Sequence, residues 1–299
     1  MDRLLWMTCF IRAVETGSLT AVARELGIGQ PNVSRHLASL EAQIGTRLMH
    51  RSTRKLSLTP EGERYYAEVR PALDALREAE SNARGEDHPA GLLRVSCPVA
   101  LARYKILPLV KPFLARYPDI SLDLQIGDRM VDLVEEAIDV AIRVGDLRDS
   151  VLRARRIGTA RRVCVASTDY LAARGVPLTP LDLPRHDCVL FSLLATGAVW
   201  PFELAPVQVS GRVRVNSPEG VRAAVLDGLG IAMMPVWLFA AEIASGQVQV
   251  LMPEWRVPPL PIHALYPDKR LLPRRARVFI DLLAAEFADD PMLCGPAIP

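Results

Sequence analysis

Gln30, Asn32, Ser34, Arg35 and His36 fall within one short stretch around Pro31, and their side chains are of the types that hydrogen-bond base edges and phosphates in a major groove. Arg47, Arg51, Arg54 and Lys55 follow with no acid between them, the last three flanking Ser52 and Thr53. Basic residues so grouped suit a phosphate backbone. A second set of polar residues stands where apolar runs end and helical patterns begin: Ser96-Cys97-Pro98, Gly127-Asp128-Arg129 and Asn216-Ser217-Pro218, with Arg143 and Phe191-Ser192 at further run ends. Unpaired N–H groups at such helix starts attract anions or polar oxygens. Each site taken singly also reads as an ordinary helix cap, and Asp128, Arg129 and Arg143 also read as structural ion pairs. Catalysis is not indicated, because His36, His50, His88, His186 and His263 are dispersed and neither a nucleophile motif nor a phosphate-cradling glycine loop is present.

The elements that must position the first set follow from spacing. Leu19, Val22, Ala23 and Leu26 repeat at helical intervals, Gly27 breaks the period, and Val33, Leu37, Leu40 and Ile44 resume it. Two short helices therefore cross around a small core, with Gly27-Ile28-Gly29 as the tight turn and Pro31 where a helix start tolerates its missing N–H. Leu56 and Leu58 alternate up to Thr59-Pro60, as in a basic hairpin. The whole is the layout of a winged helix-turn-helix, and a two-helix hairpin with a solvated polar face is the bland alternative.

The stretch resembles the amino-terminal domain of LysR-type transcriptional regulators. The residues carrying the resemblance are Phe10, Val14, Glu15, Gly17-Ser18, Ala23, Leu26, Gln30-Pro31, Val33-Ser34, Leu40-Glu41, Gly45, Leu48, Arg51, Arg54, Leu58-Thr59 and Gly62. Two positions depart from the pattern: Gly29 stands where the family usually has a capping Ser, and Met49 where it has Phe. The resemblance implies promoter DNA as partner, a dimer or a tetramer built as a dimer of dimers, a small-molecule effector, and RNA polymerase where the regulator activates. It implies no cofactor and no metal.

Composition agrees. The net charge of the 299 residues is only +2, yet residues 1–60 hold Arg3, Arg12, Arg24, Arg35, Arg47, Arg51, Arg54 and Lys55 against Asp2, Glu15, Glu25 and Glu41, so the positive excess sits in the first domain. The five cysteines are odd in number and scattered, without the spacing of a zinc site or a disulfide framework, which suits a reducing cytosol. Cys97 reads as a small buried residue or as an oxidation sensor. The amino terminus reads as an amphipathic helix rather than a secretory signal. The longest apolar stretch, Leu229 to Ala241, contains Pro235 and is too short for a bilayer span of about 20 residues. A cytoplasmic protein is expected.

From Glu61 to about Arg84 a long helix carries Tyr66, Val69, Leu73 and Leu76 at three-and-four spacing. This narrow seam calls for a partner helix, or else packs on its own domain; Pro71 should bend it. Dimerisation through it would relate two reading helices by a two-fold axis and match a pseudo-palindromic site. Gly85 to Gly91 forms a hinge. Beyond it, apolar runs at 92–96, 121–126, 140–144, 162–166, 188–192, 207–215, 230–234 and 261–266 alternate with helical stretches, and Arg274 to Ala288 closes as an amphipathic helix.

The expected architecture is an α+β multidomain chain: a winged helix-turn-helix domain rich in helix at 1–60, a linker helix and hinge at 61–90, and a two-lobed α/β domain at 91–299. This last part is similar to the effector-binding half of the same family, a periplasmic-binding-protein-like fold of type 2. Lobe I is expected at about 91–162 and 267–299, and lobe II at about 163–266, with crossings near 161–163 and 265–268. Two rival readings stand: a regulator whose second domain only oligomerises, and a ligand-binding protein of the solute-binding type.

Overall fold

The computed structural model describes residues 2–51, 56–83, 88–147, 152–194, 196–267 and 272–293. In the first domain α1 (Arg3–Thr16) crosses α2 (Leu19–Glu25) and α3 (Gln30–Ile44), and a hairpin of β1 (Met49–Arg51) and β2 (Leu56–Leu58) follows. Its core is Phe10, Ala13, Val22, Val33, Leu37, Leu40 and Leu48. Gly27 holds φ of +64° in the turn between α2 and α3, a conformation that L side chains adopt only with strain.

The hairpin is fixed by the residues after α3. Glu41 Oε1 accepts from the backbone N–H groups of Leu48 and Met49 at 3.0 and 3.2 Å. Thr59 donates to the Arg47 carbonyl at 2.8 Å and accepts from Gly62 N–H at 3.0 Å, which caps α4 (Pro60–Ala83). A Cβ at Gly62 would stand 1.9 Å from the Leu48 carbonyl oxygen, so only glycine lets the helix start lie against the hairpin.

Helix α4 runs on through Pro71 to the second domain. There β3 (Gly91–Cys97) leads into α5 (Val99–Leu101), which continues through a π-turn at Ala102–Ile106 into α6 (Leu107–Arg116). β4 (Ile120–Ile126) and β5 (Val140–Val144) flank β3 in parallel, and β6 (Leu152–Ala160) lies at the far edge. The chain then enters lobe II: β7 (Arg162–Ser167), α7 (Thr168–Arg174), β8 (Val189–Phe191), β9 (Val199–Trp200), β10 (Val207–Gln208), β11 (Val213–Val215), α8 (Pro218–Leu226), β12 (Ala232–Pro235), α9 (Ala240–Ala244) and β13 (Val248–Leu251). It returns as β14 (Leu260–Pro267) and α10 (Arg274–Asp289). The lobe I sheet has the order β4-β3-β5-β14-β6, and lobe II holds β12-β7-β13 with β8 parallel to β11.

The chain first passes between the lobes at Arg161, between β6 and β7. The second crossing does not fall at 265–268: β14 pairs over its length with β5 and β6, so the chain is back in lobe I by Leu260 and crosses between Leu251 and Leu260. Its apolar run looks like the lobe II strands before it, and only strand pairing distinguishes them. Strand β6, LRARRIGTA, escapes a hydropathy reading because it is an edge strand whose arginines face solvent. The run expected at 207–215 is two short strands, β10 and β11, separated at Gly211, where a Cβ would stand 1.7 Å from the Cys188 carbonyl oxygen. No helix among the described residues is long and apolar enough to cross a membrane.

Candidate DNA interface and effector cleft

Helix α3 buries Val33, Leu37 and Leu40 and turns Gln30, Pro31 and Arg35 to solvent, with Asn32, Ser34 and His36 half-exposed beside them. Arg35 donates through Nη2 to Asn32 Oδ1 at 2.9 Å, which aligns two candidate base-reading groups one helical turn apart. Gly29 is the N-cap, with extended backbone and no side-chain cap bond; its carbonyl accepts from the N–H groups of Asn32 and Val33 at 2.9 and 3.2 Å, and Pro31 has no N–H to leave unpaired. Of the expected wing contacts, Ser52, Thr53, Arg54 and Lys55 lie outside the described residues; the backbone of Arg51 ends β1.

In the second domain the structure brings one cluster together and leaves other candidates apart. Ser96, buried at the end of β3, accepts from Arg143 Nη2 at 2.9 Å; the guanidinium also donates to the carbonyls of Ile142 at 2.7 Å and Arg129 at 3.4 Å. Among the described residues no carboxylate lies within ion-pair distance of Arg143, and desolvation pulls its pKa below the usual arginine value. Pro98 opens α5, and Asp128 Oδ1 accepts from Val99 N–H at 3.2 Å, so Asp128 serves as a cap. Arg129 is exposed and spends both Nη atoms on Glu136, at 2.8 and 2.7 Å; it is a structural ion pair. Cys97 is fully buried and its thiol is pushed up to about 11, chiefly by burial, which removes the thiolate that oxidation requires.

In lobe II Ser217 caps α8 by accepting from Gly220 N–H at 3.4 Å, with exposed Asn216 before it. Phe191 ends β8, and the backbone N–H of Ser192 donates to the Val215 carbonyl at 2.8 Å. The sequence reading missed the groups that join the lobes. Arg103, on the π-turn, pairs with Glu219 of α8 at 3.4 Å, and the Tyr104 ring lies 6.1 Å from that of Trp237. A single inserted residue per turn leaves no periodicity signal, although such bulges concentrate at functional sites.

Three of the four residues of the expected seam on α4 face inward. Tyr66 and Leu73 are core residues, and Val69 packs against the same cluster; Leu76 is exposed. Beside them lies a buried charge network. Arg70, 4% exposed, donates to Asp139 at 3.0 and 3.3 Å, to the carbonyls of Leu92 at 2.6 Å and Ala137 at 3.1 Å, and pairs with Glu15 at 3.4 Å. Tyr66 accepts from Arg94 at 2.5 Å and donates to Glu15 at 3.3 Å, and its hydroxyl is pushed up to about 12, first by burial. Arg275, on α10, pairs with Asp74 at 2.5 Å and Asp139 at 3.5 Å. Ala137 takes φ of +53°, a strained conformation that places its carbonyl within reach of Arg70.

Two family descriptions match this chain: "Bacterial regulatory helix-turn-helix protein, lysR family" over residues 4–63, and "LysR substrate binding domain" over residues 86–288. The chain belongs to the LysR-type transcriptional regulators. It is 36% identical over 287 residues to the HTH-type transcriptional regulator PtxR of Pseudomonas aeruginosa, covering 94% of this chain and 92% of that one. It is 34% identical over 297 residues to the HTH-type transcriptional activator AaeR of Escherichia coli, covering 97% and 95%. Among solved structures it resembles CrgA, a LysR-type regulator of Neisseria meningitidis, with a TM-score of 0.61 and 32% identity over 94% of this chain and 97% of that one. This LysR-type regulator therefore has a DNA-binding helix-turn-helix domain and a two-lobed α/β effector-binding domain.

Proposed function

We propose that the exposed face of α3, with Arg35 and Asn32 at its centre and Gln30, Ser34 and His36 around them, reads promoter DNA in the major groove while the 51–55 wing follows the phosphates. The regulator acts as a dimer or higher oligomer in the cytoplasm, with the open side of α4 around Leu76 facing a second copy, and contacts RNA polymerase where it activates. The effector is a small molecule with an anionic or strongly polar group, held against Arg143 and Ser96 from lobe I and the start of α8 at Ser217 from lobe II. A half-buried guanidinium whose partners among the described residues are a hydroxyl and carbonyls is a costly arrangement that an anion relieves.

The observation that carries the reading is the placement of two arginine sites at opposite ends of the same strands. Ser96 and Arg143 stand near the ends of β3 and β5; Leu92 and Asp139, four residues earlier in each case, hold Arg70 of the linker helix. Four residues of strand span about 13 Å, so a shift of β5 on ligand binding is delivered to the helix that carries the DNA-binding domain. The test is a thermal-shift screen of small organic anions on wild type and Arg143→Gln. A hit that stabilises wild type and not the variant supports the reading, and equal shifts in both count against it.

A further inference from the structure

The crossover from β4 to β5 is an irregular strap, residues 127–139, with one turn at 133–137. It runs back along β3 from the end of that strand to its start: Gly127 N–H donates to the Cys97 carbonyl and Asp139 N–H to the Arg94 carbonyl, each at 3.0 Å. Leu133 and Ile138 pin it to the sheet through Ala141 and Leu265.

The two ends of the strap touch two different arginines. At the cleft end Asp128 Oδ1 accepts from Val99 N–H at 3.2 Å, and the Arg129 carbonyl accepts from Arg143 at 3.4 Å. At the other end the Ala137 carbonyl, at 3.1 Å, and the Asp139 carboxylate, at 3.0 Å, accept from Arg70 of α4, and Ala137 packs against the core of the first domain. Between the ends, Arg129 and Glu136 form a two-bond ion pair at 2.8 and 2.7 Å that closes the strap on itself. Glu136 adjoins Ala137, whose φ of +53° persists only where the surroundings over-determine it. A cavity of about 20 Å³ between Ala67 and Pro71 of α4 and Leu133 and Ala137 of the strap leaves this seat short of close packing. The turn therefore has a less strained alternative and room in which to take it up.

We propose that the strap is a relay between the effector cleft and the linker helix. Of the hydrogen bonds made by Arg143, that to the Arg129 carbonyl is the longest, so it is the first that an incoming anion replaces. Movement of Arg129 passes through its pair with Glu136 to the strained turn, and the Ala137 carbonyl shifts against Arg70. The identity of the trigger rests on the cleft reading of Arg143; the mechanics belong to the strap.

The test is hydrogen–deuterium exchange by mass spectrometry on the full-length protein without ligand. Arg129→Gln and Glu136→Gln each break the closing pair, and residues 66–74 of α4 should exchange about threefold faster in both, the effect of one exposed ion pair. Arg155→Gln, which breaks the exposed pair with Asp281 on the same sheet, should leave α4 as in wild type. In Asp139→Asn, where the far end is already loosened, adding Arg129→Gln should raise the exchange by less than it does alone. Unchanged α4 exchange in both strap variants, an equal rise in Arg155→Gln, or full additivity with Asp139→Asn overturns the proposal. Because no ligand enters the measurement, a failed anion screen does not affect it, and unchanged exchange removes the relay while leaving the Arg143 site standing.

Discussion

Arg70 of the linker helix donates to both carboxylate oxygens of Asp139, at 3.3 and 3.0 Å, and both side chains are buried or nearly so. This pair joins two domains that are separate in sequence. Its extensions reach Glu15 and, through Arg12, Glu25 of the DNA-binding domain on one side, and Arg275 of the last helix on the other. The guanidinium of Arg70 is held firmly charged, because Asp139 and its neighbours outweigh the opposing effect of burial.

Asp139→Asn leaves Arg70 buried with its strongest partner neutralised. Removing one member of a buried pair costs about 3 to 5 kcal/mol, and the loss here is expected near the lower figure because Glu15 and two carbonyls remain. Hydrogen exchange should show α4 and the start of β5 opening together, with the core of α1 to α3 still protected. Unchanged exchange in α4 would remove the pair from any coupling role.

Two glycines are expected to behave oppositely. Gly29→Ser gains a side-chain cap at a position with ordinary φ, −67°, and only ordinary contacts around the new Cβ, and should stabilise the first domain by about 0.5 to 1 kcal/mol. Gly62→Ala forces a Cβ into the Leu48 carbonyl and should destabilise it by about 3 kcal/mol. Denaturant midpoints of both variants check the pair, and a neutral Gly62→Ala contradicts the docking described for the hairpin.

Ser96→Ala removes the hydroxyl that accepts from Arg143. Effector response should fall, by roughly tenfold in the concentration required, while DNA affinity without effector stays as in wild type. A gel-shift titration with the ligand found by screening reads both, and an unaltered effector requirement would argue against the cleft.

The pKa values of His186 and His263 are lowered, burial being the first cause in each. Their folded values lie below the unfolded value of about 6.5, so the unfolded chain takes up protons first. Their contribution to stability is intact above about pH 6.5 and falls as the pH drops through that value. The thermal midpoint should therefore decline between about pH 7 and 5.5, and less steeply in a His186→Gln, His263→Gln variant. Parallel declines would exclude these histidines as the cause.

The first domain was legible because local rules fix it. The breaks and periods from Leu19 to Ile44 are helical spacing, and Glu41, Thr59 and Gly62 do backbone work a few residues away. The second domain was legible as alternating strands but not in its connections: β14 carries the same kind of apolar run as the lobe II strands, and only its pairing with β5 and β6 places it in lobe I. Tyr66 and Leu73 show the limit of a hydrophobic stripe, which states that a face is covered without stating by what. The Arg70 network was illegible because its partners come from positions 15, 92, 137 and 139, brought together only by the fold. Cys97 needed its burial to be known before an oxidation role could be set aside.

The most direct test of the account is a nuclease-protection footprint across the DNA flanking the protein's own gene, at two salt concentrations, with wild type and Arg35→Ala. The account predicts a discrete, salt-sensitive protected region spanning several helical turns, weakened by about 1 to 3 kcal/mol in the variant at the positions Arg35 reads. Uniform coating of the DNA, or a discrete footprint that Arg35→Ala leaves untouched, would contradict it.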